Sequence, residues 1–135
     1  MCGIVGTVGI NNPSVVNQMN DSQYHRGPDE GGIYSCPDSS LFLAMRRLSI
    51  VDLSSGQQPM VSQCKKYAIV YNGEIFNAPN LRSRLVALGE KFLSDHSDTE
   101  VVLRGYMKWG RSVVKRLNGM FAFVIHDIKN NCLFG

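Results

Sequence analysis

Cys2 is the residue best suited to covalent chemistry. Removal of Met1 would leave one residue carrying both a thiol and a free α-amine. The thiolate is the nucleophilic form. A free thiol titrates near ~8.5 and an α-amine near ~7.7–8.0, so the amine can serve as base close to neutral pH. A nucleophile activated by its own N-terminal amine is an established arrangement. The plain alternative for position 2 is a small buried thiol. Asn72-Gly73 is the second point of interest. Asn brings a side-chain N–H, Gly a backbone N–H that a ligand can approach unhindered, and two such donors can form an oxyanion hole. The same dipeptide is a strong signal for a tight hairpin turn, and both readings stand at this level. Glu74 follows at once. Arg47, at the end of an expected strand, offers a planar fork that matches a carboxylate. It could equally form a surface salt bridge of little consequence. Asp98 lies in Ser97-Asp98-Thr99-Glu100, a capping-box pattern whose first-turn acid suits the helix dipole without any ligand. His25 invites a Cys–His pair, but a histidine bonded to loop backbone accounts for it as well.

Composition narrows the rest. The 135 residues suit one domain, and 44% hydrophobic against 19% charged side chains is a globular balance. Fourteen basic and eleven acidic residues leave a net charge of +3, with no basic run that would suggest nucleic acid. No apolar stretch reaches membrane-spanning length, and no charged leader with an apolar core opens the chain. Cys2, Cys36, Cys64 and Cys132 are widely spaced, without C-x-x-C, and the absence of a secretion signal leads to the expectation of reduced thiols in the cytoplasm. The three histidines lie far from the cysteines in sequence, so no metal site is expected.

The elements that must position these residues follow from the pattern. Residues 2–10 read as a buried strand beginning at Cys2. Residues 14–24 read as a short helix with Val15, Val16, Met19 and Tyr24 on one side. HRGPDEGG at 25–32 is loop chemistry with both charge signs in close quarters. Strands are expected at 32–36 and 41–46, and residues 46–60 begin as strand and end as a Gly/Pro-containing loop. YAIVYNGEIFN at 67–77 is a strong strand. Helices are expected at 79–89, with Leu81, Leu85, Val86 and Leu88 at helical spacing and Gly89 as the stop, then at 97–109 and 111–117. MFAFVIHD at 120–127 reads as a strand buried on both faces for most of its length, and NCLFG at 131–135 starts another that stops in mid-pattern, as if the chain were a piece of something longer. Strands alternating with a few helices imply α+β with antiparallel sheets.

Taken together, MCGIVG at 1–6, HRGPD at 25–29, RRLSIVDLSSGQQPM at 46–60, YNGEIFN at 71–77, SDTE at 97–100 and NGMFAF at 118–123 resemble one family. The chain resembles the N-terminal glutaminase domain of glutamine-hydrolysing asparagine synthetases, the class II amidotransferases of the N-terminal-nucleophile hydrolase superfamily. The resemblance runs over nearly the whole chain. It implies a four-layer αββα fold, two stacked antiparallel sheets flanked by helices, C-terminally incomplete here. A fragment of that kind would leave unpaired strand edges.

The resemblance also implies roles. Cys2 is the nucleophile, and Asn72 with the Gly73 N–H forms the oxyanion hole. Arg47 holds the glutamine α-carboxylate, and Glu74 and Asp98 hold the α-amino group. Leu48, Ser49, Ile50 and Val51 wall the pocket. The histidines are left with structural parts. Glutamine would be hydrolysed through a glutamyl thioester, and its ammonia used by a C-terminal synthetase domain, absent from this chain, to convert aspartate to asparagine. ATP and Mg²⁺ belong to that domain; no cofactor or metal is expected in this one. No nucleic acid or membrane partner is expected, and a homodimer is admitted. The alternatives are a related glutaminase with a sugar or peptide acceptor, and an idle glutamine-sensing or interaction domain. HRGPD, RRLSIVD and YNGEIFN favour the asparagine synthetase branch, and Cys2 speaks against the β-lactam-forming relatives, which lack it.

Overall fold

The computed structural model describes residues 2–36, 38, 40–48 and 57–135. Its strands form two antiparallel sheets. In the first, β1 (Gly3–Val8) and β2 (Glu30–Cys36) flank β3 (Leu41–Arg47). In the second, β4 (Met60–Val61), β5 (Tyr67–Ile75), β6 (Gly119–Asp127) and β7 (Cys132–Phe134) follow in that order. Three α-helices accompany them, α1 (Pro13–Ser22), α2 (Ala78–Ala87) and α3 (Asp98–Trp109).

Side chains alternate between the faces of a strand, and β3 shows what that alternation builds. Phe42 and Ala44 face Val5 of β1 and Val16 of α1, one core layer. Leu41, Leu43 and Met45 point the other way and meet Val70 of β5, with Ile4 and Val124 beside them, which makes the layer between the sheets. The far face of the second sheet carries Ile69, Tyr71, Ile75, Phe123 and Ile125 against Leu81 and Leu85 of α2 and Val101, Val102 and Tyr106 of α3. The order is therefore helix, sheet, sheet, helices, the expected αββα arrangement.

The expected boundaries shift where packing overrides pattern. The first helix ends at Ser22; Tyr24 is exposed on a following 3₁₀ turn, and Met19 also faces outward. In α2 only Ala78, Leu81 and Leu85 are buried, while Val86 and Leu88 lie off that stripe and are exposed. The segment expected as a third helix is a 3₁₀ helix, Gly110–Arg116. β6 is enclosed only in its second half, since Met120 is exposed and Phe121 only partly covered. Ser97 caps α3 by accepting from the Glu100 N–H at 3.3 Å, but the Glu100 carboxylate does not return to Ser97. It instead accepts from the Leu93 and Ser94 N–H groups, the Ser94 hydroxyl and Arg104 Nε, tying the preceding loop to the helix.

Candidate active site between the sheets

Strand register brings Cys2 and Arg47 to one place. Gly3 pairs with Arg46, so Cys2 and Arg47 are neighbours at the same end of β1 and β3. By alternation both share the face of Ile4, Leu43 and Met45, toward the second sheet. On the other side of Arg47, Glu30 of β2 is its register partner. Arg47 is 4% exposed, and its Nη1 donates to Glu30 Oε2 at 3.0 Å. This burial rules out the surface salt bridge considered from sequence. The HRGPD loop braces the arginine from behind. Asp29 N–H donates to Arg47 O, and Gly27 packs so closely that a Cβ there would lie 2.4 Å from the Arg46 carbonyl carbon. His25 sits exposed on the 3₁₀ turn and makes no hydrogen bond among the described residues, so neither a Cys–His pair nor a backbone-bonded histidine is found.

The second sheet supplies the opposite wall. β5 runs straight through Asn72-Gly73, which pair with Ala122 and Phe121 of β6; there is no hairpin at this point. Gly73 is required by close approach, because a Cβ there would lie 2.3 Å from Met120 O. Asn72 and Glu74 share the face of Val70, toward the first sheet. The contact that joins the walls is direct. The Cys2 backbone nitrogen donates to Asn72 Oδ1 at 3.1 Å, across 70 residues of sequence. With its oxygen engaged there, the Asn72 carboxamide turns its N–H₂ away from Cys2 N.

Asp98 begins α3, and its Oδ2 accepts from the Tyr71 hydroxyl at 2.7 Å and the Ile75 N–H at 3.2 Å. The Tyr71 phenol is pushed far above its usual range by burial, and then by Asp98, Glu74 and Cys2, so these groups share one electrostatic neighbourhood. Leu48 follows Arg47 and is half-buried; Ser49, Ile50 and Val51 lie outside the described residues. Among the described residues no cluster of His, Cys, Asp or Glu could hold a metal ion.

Three contributors were not singled out in the sequence. Glu30 belongs to the mixed-charge HRGPDEGG stretch, which hinted at an ion pair without naming the partner. Tyr71 immediately precedes Asn72, yet alternation sends it to the helix face. Gln58 lies in QQP; its Oε1 accepts from Tyr71 N–H at 2.7 Å and its Nε2 donates to Thr99 Oγ1 at 3.3 Å.

Cys2 against a strand-borne Asn-Gly pair, with a buried arginine beside it, coincides with a sequence match. The profile of the glutamine amidotransferase domain matches residues 1–134. The chain belongs to this family. The glutamine amidotransferase domain is 38% identical over 141 residues to a glutamine-hydrolysing asparagine synthetase of Bacillus subtilis, covering 99% of this chain and 22% of that protein. The corresponding enzyme of Asparagus officinalis is 38% identical over 137 residues, 98% of this chain and 22% of that protein. The chain thus spans 22% of the length of these curated relatives. The fold is shared with the B. subtilis glutamine phosphoribosylpyrophosphate amidotransferase, at a TM-score of 0.54 and 24% identity over 67% of this chain and 22% of that one.

Proposed function

We propose that this domain hydrolyses glutamine to glutamate and ammonia, with Cys2 as nucleophile, and serves as the glutaminase part of an asparagine synthetase. The observation that carries the reading is the 3.1 Å contact between Cys2 N and Asn72 Oδ1. After removal of Met1 that nitrogen is the α-amine, and Asn72 orients it beside the thiol whose proton it takes. The thiolate attacks the side-chain amide carbon of glutamine, and the developing oxyanion is held by Asn72 Nδ2 and the Gly73 N–H. Such donors act on charge that appears in the transition state, so they accelerate the chemical step. The α-ammonium of Cys2 returns the proton to the leaving nitrogen, ammonia departs and a glutamyl thioester remains. Water, deprotonated by the same amine, then releases glutamate.

Arg47 holds the α-carboxylate and Glu74 and Asp98 hold the α-ammonium of the substrate. A zwitterionic amino acid needs both charge signs, and the two walls offer one each. Leu48, with Ser49, Ile50 and Val51, lines the pocket. The ammonia passes to a C-terminal synthetase domain that uses ATP and Mg²⁺ to form asparagine from aspartate; the domain described here needs no cofactor of its own. Identity of about two-fifths to asparagine synthetases across the whole chain supports that acceptor over a sugar or peptide. Four free cysteines fit a reducing cytoplasm.

The direct test measures glutamate release by the full-length protein. Cys2→Ala is expected to abolish it, and mass spectrometry is expected to find the active chain starting at Cys2. Unchanged turnover in Cys2→Ala would remove the nucleophile, and full activity with Met1 retained would remove the α-amine.

A further inference from the structure

Tyr71 takes no part in the steps just described, yet it is 3% exposed and its hydroxyl is aimed at Asp98. Asp98 stands on α3, whereas Asn72, Gly73 and Glu74 stand on β5. Its carboxylate must therefore be held over the strand by contacts between the two elements. Two donors do this, the Tyr71 hydroxyl and the Ile75 N–H, and they flank the Asn72–Glu74 segment on both sides. Both donate to Oδ2. Among the described residues Oδ1 carries no hydrogen bond. A second tie runs behind the first. Gln58 accepts from the Tyr71 N–H and donates to Thr99, the residue after Asp98. Gln58, Tyr71, Asp98 and Thr99 thus close a ring that locks the start of α3 to β5.

We propose that Tyr71 is a positioning residue that sets specificity for the α-ammonium group of the substrate, by fixing the Asp98 carboxylate with Oδ1 presented to it. The proposal rests on the assignment of Asp98 to the α-ammonium. The phenol stays protonated throughout, because burial and the adjacent Asp98 charge both oppose its ionisation. It is therefore always a donor, and the carboxylate cannot turn to bring Oδ2 outward without losing it. A tyrosine that merely filled the core would be replaced by phenylalanine at the same volume, with equal consequences for every substrate.

The test compares glutamine with glutaramate, which keeps the carboxylate and the side-chain amide but lacks the α-amine. In the full-length wild-type protein glutamine is expected to be preferred. In Tyr71→Phe, kcat/KM for glutamine is expected to fall about tenfold or more, mainly through KM, on the scale of one hydrogen bond to a charged group. Glutaramate turnover is expected to stay unchanged, so the ratio between the substrates collapses. Gln58→Met, which cuts the second tie, is expected to lower the ratio in the same direction. A wild-type ratio in Tyr71→Phe overturns the proposal, even if both rates drop together, since that pattern is a purely structural effect. If Tyr71→Phe does not fold, judged by its melting transition, Gln58→Met decides, and an unchanged ratio there overturns the proposal. Failure of the wild type to hydrolyse glutamine would refute the glutaminase reading instead. Equal use of both substrates by the wild type would refute the role of Asp98, and the proposal with it.

Discussion

In the proposed reaction Arg47 and Asn72 meet the substrate through different physics, and their variants separate accordingly. As the proposed oxyanion donor, Asn72 would act on charge that develops in the transition state. Asn72→Ala is expected to lower kcat by about 10²–10³, the scale for one oxyanion donor, with KM little changed. A loss confined to KM would move Asn72 to ground-state binding. Arg47, in its proposed role, would bind a carboxylate that is charged throughout the reaction. Arg47→Lys is expected to raise KM, because an ammonium cannot reproduce the planar fork. Glu30 neutralises the guanidinium and fixes its Nη1 at 3.0 Å. Glu30→Gln keeps the shape of the partner and removes its charge. It is expected to raise KM for glutamine with kcat maintained, as initial-rate measurements on the full-length protein would show.

At the level of elements, β5 and α3 carry Asn72, Gly73, Glu74 and Asp98 of the candidate site, and each has a fixed neighbour. β5 can bring Asn72 and Gly73 against β6 only because position 73 lacks a Cβ. Gly73→Ala would force the strands apart and is expected to cost about 1–3 kcal/mol, the usual penalty for overpacking, read from urea denaturation. It should also depress hydrolysis more than its stability loss explains, because the Gly73 N–H moves with the strand. The start of α3 is held by Glu100, buried at 3% exposure. Burial raises its carboxyl, but hydrogen bonds from Ser94, Leu93 and Arg104 outweigh that and hold it below the usual glutamate range. A carboxyl lowered by folding stabilises above its ordinary pKa, and that contribution is lost as pH falls through the folded value. Glu100→Gln is expected to destabilise by roughly 3 kcal/mol or less, since breaking a buried pair is costly but Glu90 still faces Arg104 at 3.9 Å.

Across the whole molecule, the packing between sheets contains a titratable joint at the end away from Cys2. His126 of β6 is buried, and its Nδ1 lies 3.2 Å from the Tyr34 hydroxyl of β2. Burial lowers the His126 pKa below its usual 6.5, against an opposing pull from Asp127. Burial also pushes the Tyr34 phenol up to about 12, with Cys36 adding to the rise, so Tyr34 remains a neutral partner at every relevant pH. When pH falls below about 6.5, the unfolded chain binds a proton at His126 before the folded one does. Stability from this group is therefore complete above the ordinary histidine value and declines on acidification toward the lower folded value. Melting temperatures are expected to fall between about pH 7 and pH 5, and His126→Gln is expected to flatten that slope. An unchanged slope in the variant would exclude His126 as its source.

The sequence by itself determined the chemistry on offer. The thiol of Cys2 beside Met1, the donors of Asn72-Gly73, the fork of Arg47 and the carboxylates of Glu74 and Asp98 are properties of residue types and short motifs. The alternation of strands and helices likewise carried the α+β class with antiparallel sheets, because period-2 and helical patterns are local; the αββα layering was implied only by the resemblance to a family. Tertiary structure decided which of the competing uses each residue has. Asn72-Gly73 lies inside a strand and not in a turn, because β6 supplies a continuous ladder opposite it. Arg47 is an interior residue because two strands and the HRGPD loop enclose it. Glu100, expected to complete a capping box, turns to the Leu93–Ser94 loop, where several donors outcompete one. Tyr71 and Gln58 were invisible for the same reason that makes them matter. Their partners Asp98 and Thr99 are distant in sequence, and only the packing of α3 on β5 brings a phenol and a carboxamide within hydrogen-bond reach of that helix.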